Sequence, residues 1–119
     1  MEKQKTAEES YLFLCRRAVE IMVERIEKEL PKKGTFGNIS VSFAVPETVK
    51  KASLIVEDDA LNGDLRRVSA AIRLRGGDDM IQTYFFRGTN EEIITFLQRK
   101  AAISELIKVW DALSLRADE

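Results

Sequence analysis

Apolar positions at the start of the chain recur at spacings of three and four. Leu12, Cys15, Val19, Met22 and Ile26 form one row, and Tyr11, Leu14, Ala18 and Ile21 form a second beside it. That period is helical. Thr6 and Glu9 have capping-box spacing at its start. Arg16 with Glu20, Glu24 with Lys28 and Arg25 with Glu29 stand four apart, where ion pairs form on a helix exterior. Pro31 and Gly34 supply the stop. Two apolar rows exceed what one packing face needs. The helix is therefore expected either inside the core or shared with a second subunit. In the second case Tyr11, Leu14, Ala18 and Ile21 are the candidate dimer interface.

The pattern then switches to alternation. Ile39, Val41, Phe43 and Val45 alternate with Asn38, Ser40, Ser42 and Ala44, and Val68, Ala70, Ile72 and Leu74 alternate with Arg67, Ser69, Ala71, Arg73 and Arg75. Both are strands with one apolar face. Residues 80–87 make a third, rich in aromatics, joined to the second through Gly76-Gly77-Asp78-Asp79. Residues 46–61 fit two patterns. Pro46 followed by Val49, Ala52, Ile55, Val56 and Ala60 suits a helix, whereas Leu54-Ile55-Val56 before Asn62-Gly63 suits a strand leading to a hairpin turn. Three successive large aliphatics favour the strand.

The register of the last hairpin sets its faces, since a slip of one residue exchanges them. An odd-numbered loop pairs Leu74 with Met80, Ala70 with Tyr84 and Val68 with Phe86. It gathers Met80, Tyr84 and Phe86 with the aliphatic row of the preceding strand and leaves Gln82 as the misfit. The other face then holds Arg67, Ser69, Ala71, Arg73, Arg75, Ile81, Thr83, Phe85 and Arg87. This register is the one expected.

The C-terminal part is helical again. Thr89 and Glu92 repeat the capping-box spacing, and Ile93, Ile94, Phe96 and Leu97 precede the polar run Gln98-Arg99-Lys100. Ala102, Ile103, Leu106, Ile107, Trp110 and Leu113 resume the apolar pattern. One long helix, or two broken near Arg99, fits equally. The expected fold is α+β, a single domain over residues 1–119 in the order α-β-β-β-β-α. It is a four-stranded antiparallel meander with N- and C-terminal helices packed on one face.

Composition narrows the chemistry. The chain has 119 residues, 19 Lys plus Arg against 20 Asp plus Glu, one cysteine and no histidine. No mechanism that needs imidazole can operate, and a structural zinc site lacks its ligands. The near-neutral total argues against a wholly basic nucleic-acid binder. A mixed, polar N-terminus and the absence of any long apolar run predict neither a secretory signal nor a membrane span. A lone thiol is suited to the reducing cytoplasm.

The remaining candidates are surfaces. Arg67, Arg73, Arg75 and Arg87 with Phe85 would form an arginine-bearing sheet face able to grip phosphate, stack on a base or meet an acidic protein. Residues 64–88 hold five arginines against three aspartates, a modest excess. The turn Glu57-Asp58-Asp59-Ala60-Leu61-Asn62-Gly63-Asp64 has an EF-hand flavour, but Ala60 and Ser69 fall where ligands belong. It reads as a solvated turn, and no metal is expected. Cys15 falls on the apolar stripe and reads as a buried thiol. No catalytic residues and no cofactor are expected. The function expected is a non-catalytic interaction module with a protein partner, itself a homodimer. The alternatives are nucleic-acid or phosphate-ligand binding through the arginine face, and a small-molecule pocket between helices and sheet.

Overall fold

A computed structural model describes residues 7–29, 38–59, 61, 63–74 and 79–117. The elements are α1 (Ala7–Glu29), β1 (Ile39–Ala44), β2 (Lys50–Asp58), β3 (Arg66–Leu74), β4 (Met80–Gly88), α2 (Asn90–Leu97) and α3 (Lys100–Ala117). The four strands pair antiparallel in the order β1-β2-β3-β4. The α+β meander is thus as expected, and the ambiguous segment carries a strand. No described helix is long and apolar enough to cross a membrane. Thr6, Pro31, Gly34, Asn62 and residues 75–78, which carry expected caps and turns, lie outside the described residues.

One face of the sheet is the floor of the core. Ile39 and Phe43 of β1, Ala52, Leu54 and Val56 of β2, and Val68, Ala70 and Ile72 of β3 are buried on it. Register aligns them across the strands: Phe43 opposes Ala52, which opposes Ile72. Cys15, Ala18, Val19, Met22 and Ile26 of α1 and Ala102, Leu106, Trp110 and Leu113 of α3 close the core from above. The Trp110 ring meets Phe43 edge-on at 5.3 Å, and Phe43 meets Tyr11 in the same way at 6.0 Å. The indole N–H of Trp110 donates to the Ser53 carbonyl at 3.0 Å.

The C-terminal helix is two helices. Buried Ile93, Phe96 and Leu97 belong to α2, and the buried row resumes at Ala102 and Leu106. A continuous helix would place Lys100 and Ser104, not Ala102 and Leu106, in line with Leu97. Breaking the chain at Gln98 and Arg99 restores the phase. Ahead of α2 the capping box forms as the spacing predicts: Thr89 N–H donates to Glu92 Oε1 at 3.0 Å, and Glu92 N–H to Thr89 Oγ1 at 3.2 Å. At the far end of α3, the buried Lys50 ammonium donates to the carbonyl and hydroxyl of Ser114 at 2.9 and 2.8 Å. A cation suits this last turn, where carbonyls lack helical partners.

The expected hairpin register holds only at one end. Val68 opposes Phe86, but Ser69 opposes Tyr84 and Ile72 opposes Ile81. Phe85 is therefore the extra residue of a β-bulge, and the faces of residues 80–84 are the reverse of those expected. The bulge removes the misfit: Gln82 turns outward, and half-buried Ile81 packs against the core in its place. Met80 and Tyr84 become exposed, while Phe85 and Phe86 approach Phe96 of α2 at 5.8 and 4.6 Å. Two aromatic side chains are thus packed by one extra residue.

The β1–β2 connection holds local strain. Thr48 N–H donates to the Val45 carbonyl at 3.2 Å across Pro46 and Glu47, and Glu47 has φ of 61°. That is a type II turn with glutamate where glycine is favoured. Left-handed backbone costs a side-chain-bearing residue about 1–2 kcal/mol, part of which glycine returns as unfolded-state entropy. Glu47→Gly is expected to stabilise the protein by about 0.5–1 kcal/mol, measured as a higher urea midpoint at unchanged slope.

Candidate functional site

The outer face of the sheet splits the predicted arginine surface in two. Near the β2–β3 turn, three consecutive acids each meet an arginine. Glu57 lies opposite Arg67 in register and 3.3 Å from its guanidinium, and Asp58 lies opposite Arg66 at 2.9 Å. Asp59 reaches Arg87 at 3.4 Å. Its other oxygen accepts from Leu61 N–H at 2.7 Å, while Asp59 N–H donates to the Leu65 carbonyl at 3.1 Å. Arg66 is buried and also donates to the Gly63 and Leu65 carbonyls. The acidic run is therefore structural: it orders the hairpin turn and neutralises arginines. Asp59 is buried, a correction to the expected solvated turn. No group of metal-ligating side chains occurs among the described residues.

Arg67 is further held over the Tyr84 ring, with its guanidinium carbon 5.5 Å from the centroid. Phe85, expected outward as a base-stacking platform, is turned onto Phe96 by the bulge. Arg75 lies outside the described residues. Arg73 is exposed at the opposite end of the face, where its only described partner is the Met80 sulfur at 3.7 Å. The four described members, Arg67, Arg73, Phe85 and Arg87, therefore do not converge on one site. Lys51, directly opposite Arg73 in register, is a neighbour that the arginine count in the sequence left out. A depression of about 320 Å³ runs beside this pair, over Asn38, Ser40, Ser42, Ser53 and Ile55.

The second candidate surface is a groove of about 830 Å³ between α1 and the α2–α3 break. Its floor is apolar: Leu12, Val19 and Val23 from one side, Leu97 and Ile103 from the other. The α1 wall carries Arg16, Glu20 and Glu24, and the facing wall carries Arg99 and Lys100. Glu20 is paired with Arg17 at 3.1 Å rather than with Arg16, as the spacing had suggested. Glu24, Arg99 and Lys100 have no charged partner among the described residues. The groove exists because the break diverts α3 from the line of α2, the second of the two arrangements the polar run Gln98-Arg99-Lys100 allowed.

The predicted dimer row lies mostly within the chain. Ala18 is 2% exposed, Tyr11 packs on Phe43, and Leu14 is half-buried against the core, as Ile21 is within its own surroundings. Of this row only Ala18 is fully covered within the chain, while Tyr11, Leu14 and Ile21 each keep part of their surface exposed. Beneath it, Cys15 is fully buried, and burial together with the nearby Asp111 carboxylate pushes its thiol up to about 12. Burial likewise raises the Tyr11 hydroxyl and the Asp111 carboxyl above their usual ranges. These shifts favour neutral, unreactive forms, opposite to what an activated nucleophile requires. Comparison with protein-family models, curated proteins and solved structures gives no match to this chain.

Two measurements check these assignments. Asp59→Ala is expected to lower stability by about 1–3 kcal/mol, because the Leu61 N–H and the Arg87 guanidinium lose their charged acceptor; Asp59→Asn, which keeps a carbonyl for Leu61, is expected to cost less. At pH 8 a thiol-exchange reagent is expected to label native Cys15 at least about a thousandfold more slowly than the urea-unfolded chain, following the thiolate fractions. Equal rates would place the thiol at the surface.

Proposed function

We propose that the protein is a non-catalytic interaction module, and that the groove between α1 and the α2–α3 break receives an amphipathic segment of a partner protein. The observation that carries this reading is an apolar floor flanked by charges without a described ion pair: Glu24 on the mixed α1 wall, and Arg99 and Lys100 on the basic wall facing it. The part of α1 from Leu12 to Glu24 spans about 18 Å, room for about three helical turns. The segment that fits presents an apolar stripe to Leu12, Val23 and Ile103. It carries acids toward Arg99 and Lys100 and a base toward Glu24. Such charge matching selects orientation more than it adds affinity, so the apolar contacts supply the binding energy.

Histidine is absent from the chain, and its single thiol is buried and raised, which leaves binding as the better supported class. The lone reduced thiol also suits the cytoplasm. A second copy of the chain is the competing occupant, since the expected dimer row does not reach this groove.

Selection of helical peptides of about a dozen residues against the folded protein tests the proposal. Enriched peptides are expected to share the apolar stripe and the acidic edge, and to bind with Kd on the order of micromolar. Val23→Arg and Ile103→Arg, both at half-buried positions, are expected to weaken binding at least about tenfold while circular dichroism is unchanged. Enrichment without that loss overturns the reading. So does a dimer in light scattering that the same two substitutions dissociate, which would assign the groove to self-association.

A further inference from the structure

We infer that the free end of the outer sheet face is a binding site for a small phosphomonoester, formed by Lys51 and Arg73 over the Ser42–Ser53 pair. The site is separate from the helical groove and does not depend on it. Lys51 of β2 and Arg73 of β3 are cross-strand partners. Directly opposite like charges destabilise a sheet, and these two have no carboxylate partner among the described residues. The other outward arginines of β3 and β4, Arg67 and Arg87, are neutralised by Glu57 and Asp59. Among the described residues of the outer face, Lys51 and Arg73 are therefore the neighbouring cations left without an ion pair.

The floor of the depression suits an oxyanion. Ser42 and Ser53, paired in register one step along the sheet from Lys51, share a hydrogen bond of 2.8 Å. One hydroxyl donates to the other, which leaves the second proton free for a ligand. Asn38 and Ser40 add further polar groups at the rim, and none of the described lining residues is an acid. The Met80 sulfur is a weak acceptor and leaves most of the guanidinium donors of Arg73 available. Arginine can then grip phosphate with two parallel hydrogen bonds while the ammonium of Lys51 supplies a second charge.

A small ligand fits better than a nucleic acid. The depression is about 320 Å³, comparable to a phosphate with a modest organic group. A strand of nucleic acid would need further phosphate contacts and a stacking platform. Arg67 and Arg87 are already ion-paired, Arg67 occupies the Tyr84 ring, and Phe85 faces Phe96.

Titration of the full chain with inorganic phosphate and with phosphoserine, against sodium chloride at matched ionic strength, tests the site. Saturable amide shifts at Ser42, Ser53 and Arg73, with a rise in melting temperature, are expected for both. Lys51→Gln with Arg73→Gln is expected to lose at least tenfold in affinity, and Arg73→Lys to lose less. Phosphoserine tighter than phosphate identifies the organic ester as the ligand class, and phosphate equal to or tighter than phosphoserine overturns the ester in favour of the free ion. Absence of saturation, or binding retained in the double variant, overturns the site. A single-stranded oligonucleotide that binds more tightly than phosphoserine and depends on the same two residues overturns the small-ligand assignment.

Discussion

The indole of Trp110 joins the two layers of the molecule. Its ring is fully buried and stands edge-on to Phe43 of β1, which stands edge-on to Tyr11 of α1. Its N–H reaches the carbonyl of Ser53 in β2. A buried indole N–H without an acceptor is costly, so α3 has a defined height and rotation over the sheet. With α3 fixed in that way, Lys50 meets the last turn of the helix at Ser114, and the row from Ala102 to Leu113 faces the sheet. The break at Gln98 and Arg99 follows from the same constraint. The rotation that buries Trp110 and Leu106 differs from the one that buries Ile93 and Leu97. The groove beside α1 is its consequence.

A second constraint acts at the opposite edge of the sheet. A regular β4 cannot bury Ile81 and Phe86 on one face, because their positions differ by an odd number. The bulge at Phe85 reconciles them and places Phe86 flat against Phe96, with an interplanar angle of 12°. The chain then passes through Gly88, where a Cβ would come within 3.0 Å of Glu92 Cβ, into the capping box of α2. Edge strand, bulge, glycine and cap form one continuous device that anchors α2. The bulge also interrupts the regular edge that another strand would need for pairing.

Charge is arranged by the same geometry. The acids at residues 57–59 and the arginines at positions 66, 67 and 87 lie on three strands and the turn between two of them, and antiparallel pairing brings them together at one end of the sheet. Exposed pairs of this kind contribute little individually, while the buried Arg66 and Asp59 also satisfy backbone groups of the turn. Neutralisation there leaves Lys51 and Arg73 as the outward cations without a described carboxylate.

The sequence by itself determined the kinds of element and their order. The two apolar rows of α1, the alternation in β1 and β3, and the Thr89–Glu92 cap were all legible, because periodicity and capping are local properties of neighbouring residues. The burial of Cys15 was legible for the same reason. The site was much less so: Arg73 was a predicted member, but Lys51 was not, and Phe85 was assigned to the wrong face. Tertiary structure alone decided the bulge, the break near Arg99, the pairing of acids with arginines and the packing of Tyr11 on Phe43. Each depends on which residues of separate elements meet across space, where filling a core and satisfying buried polar groups outweigh the regular pattern of any single segment.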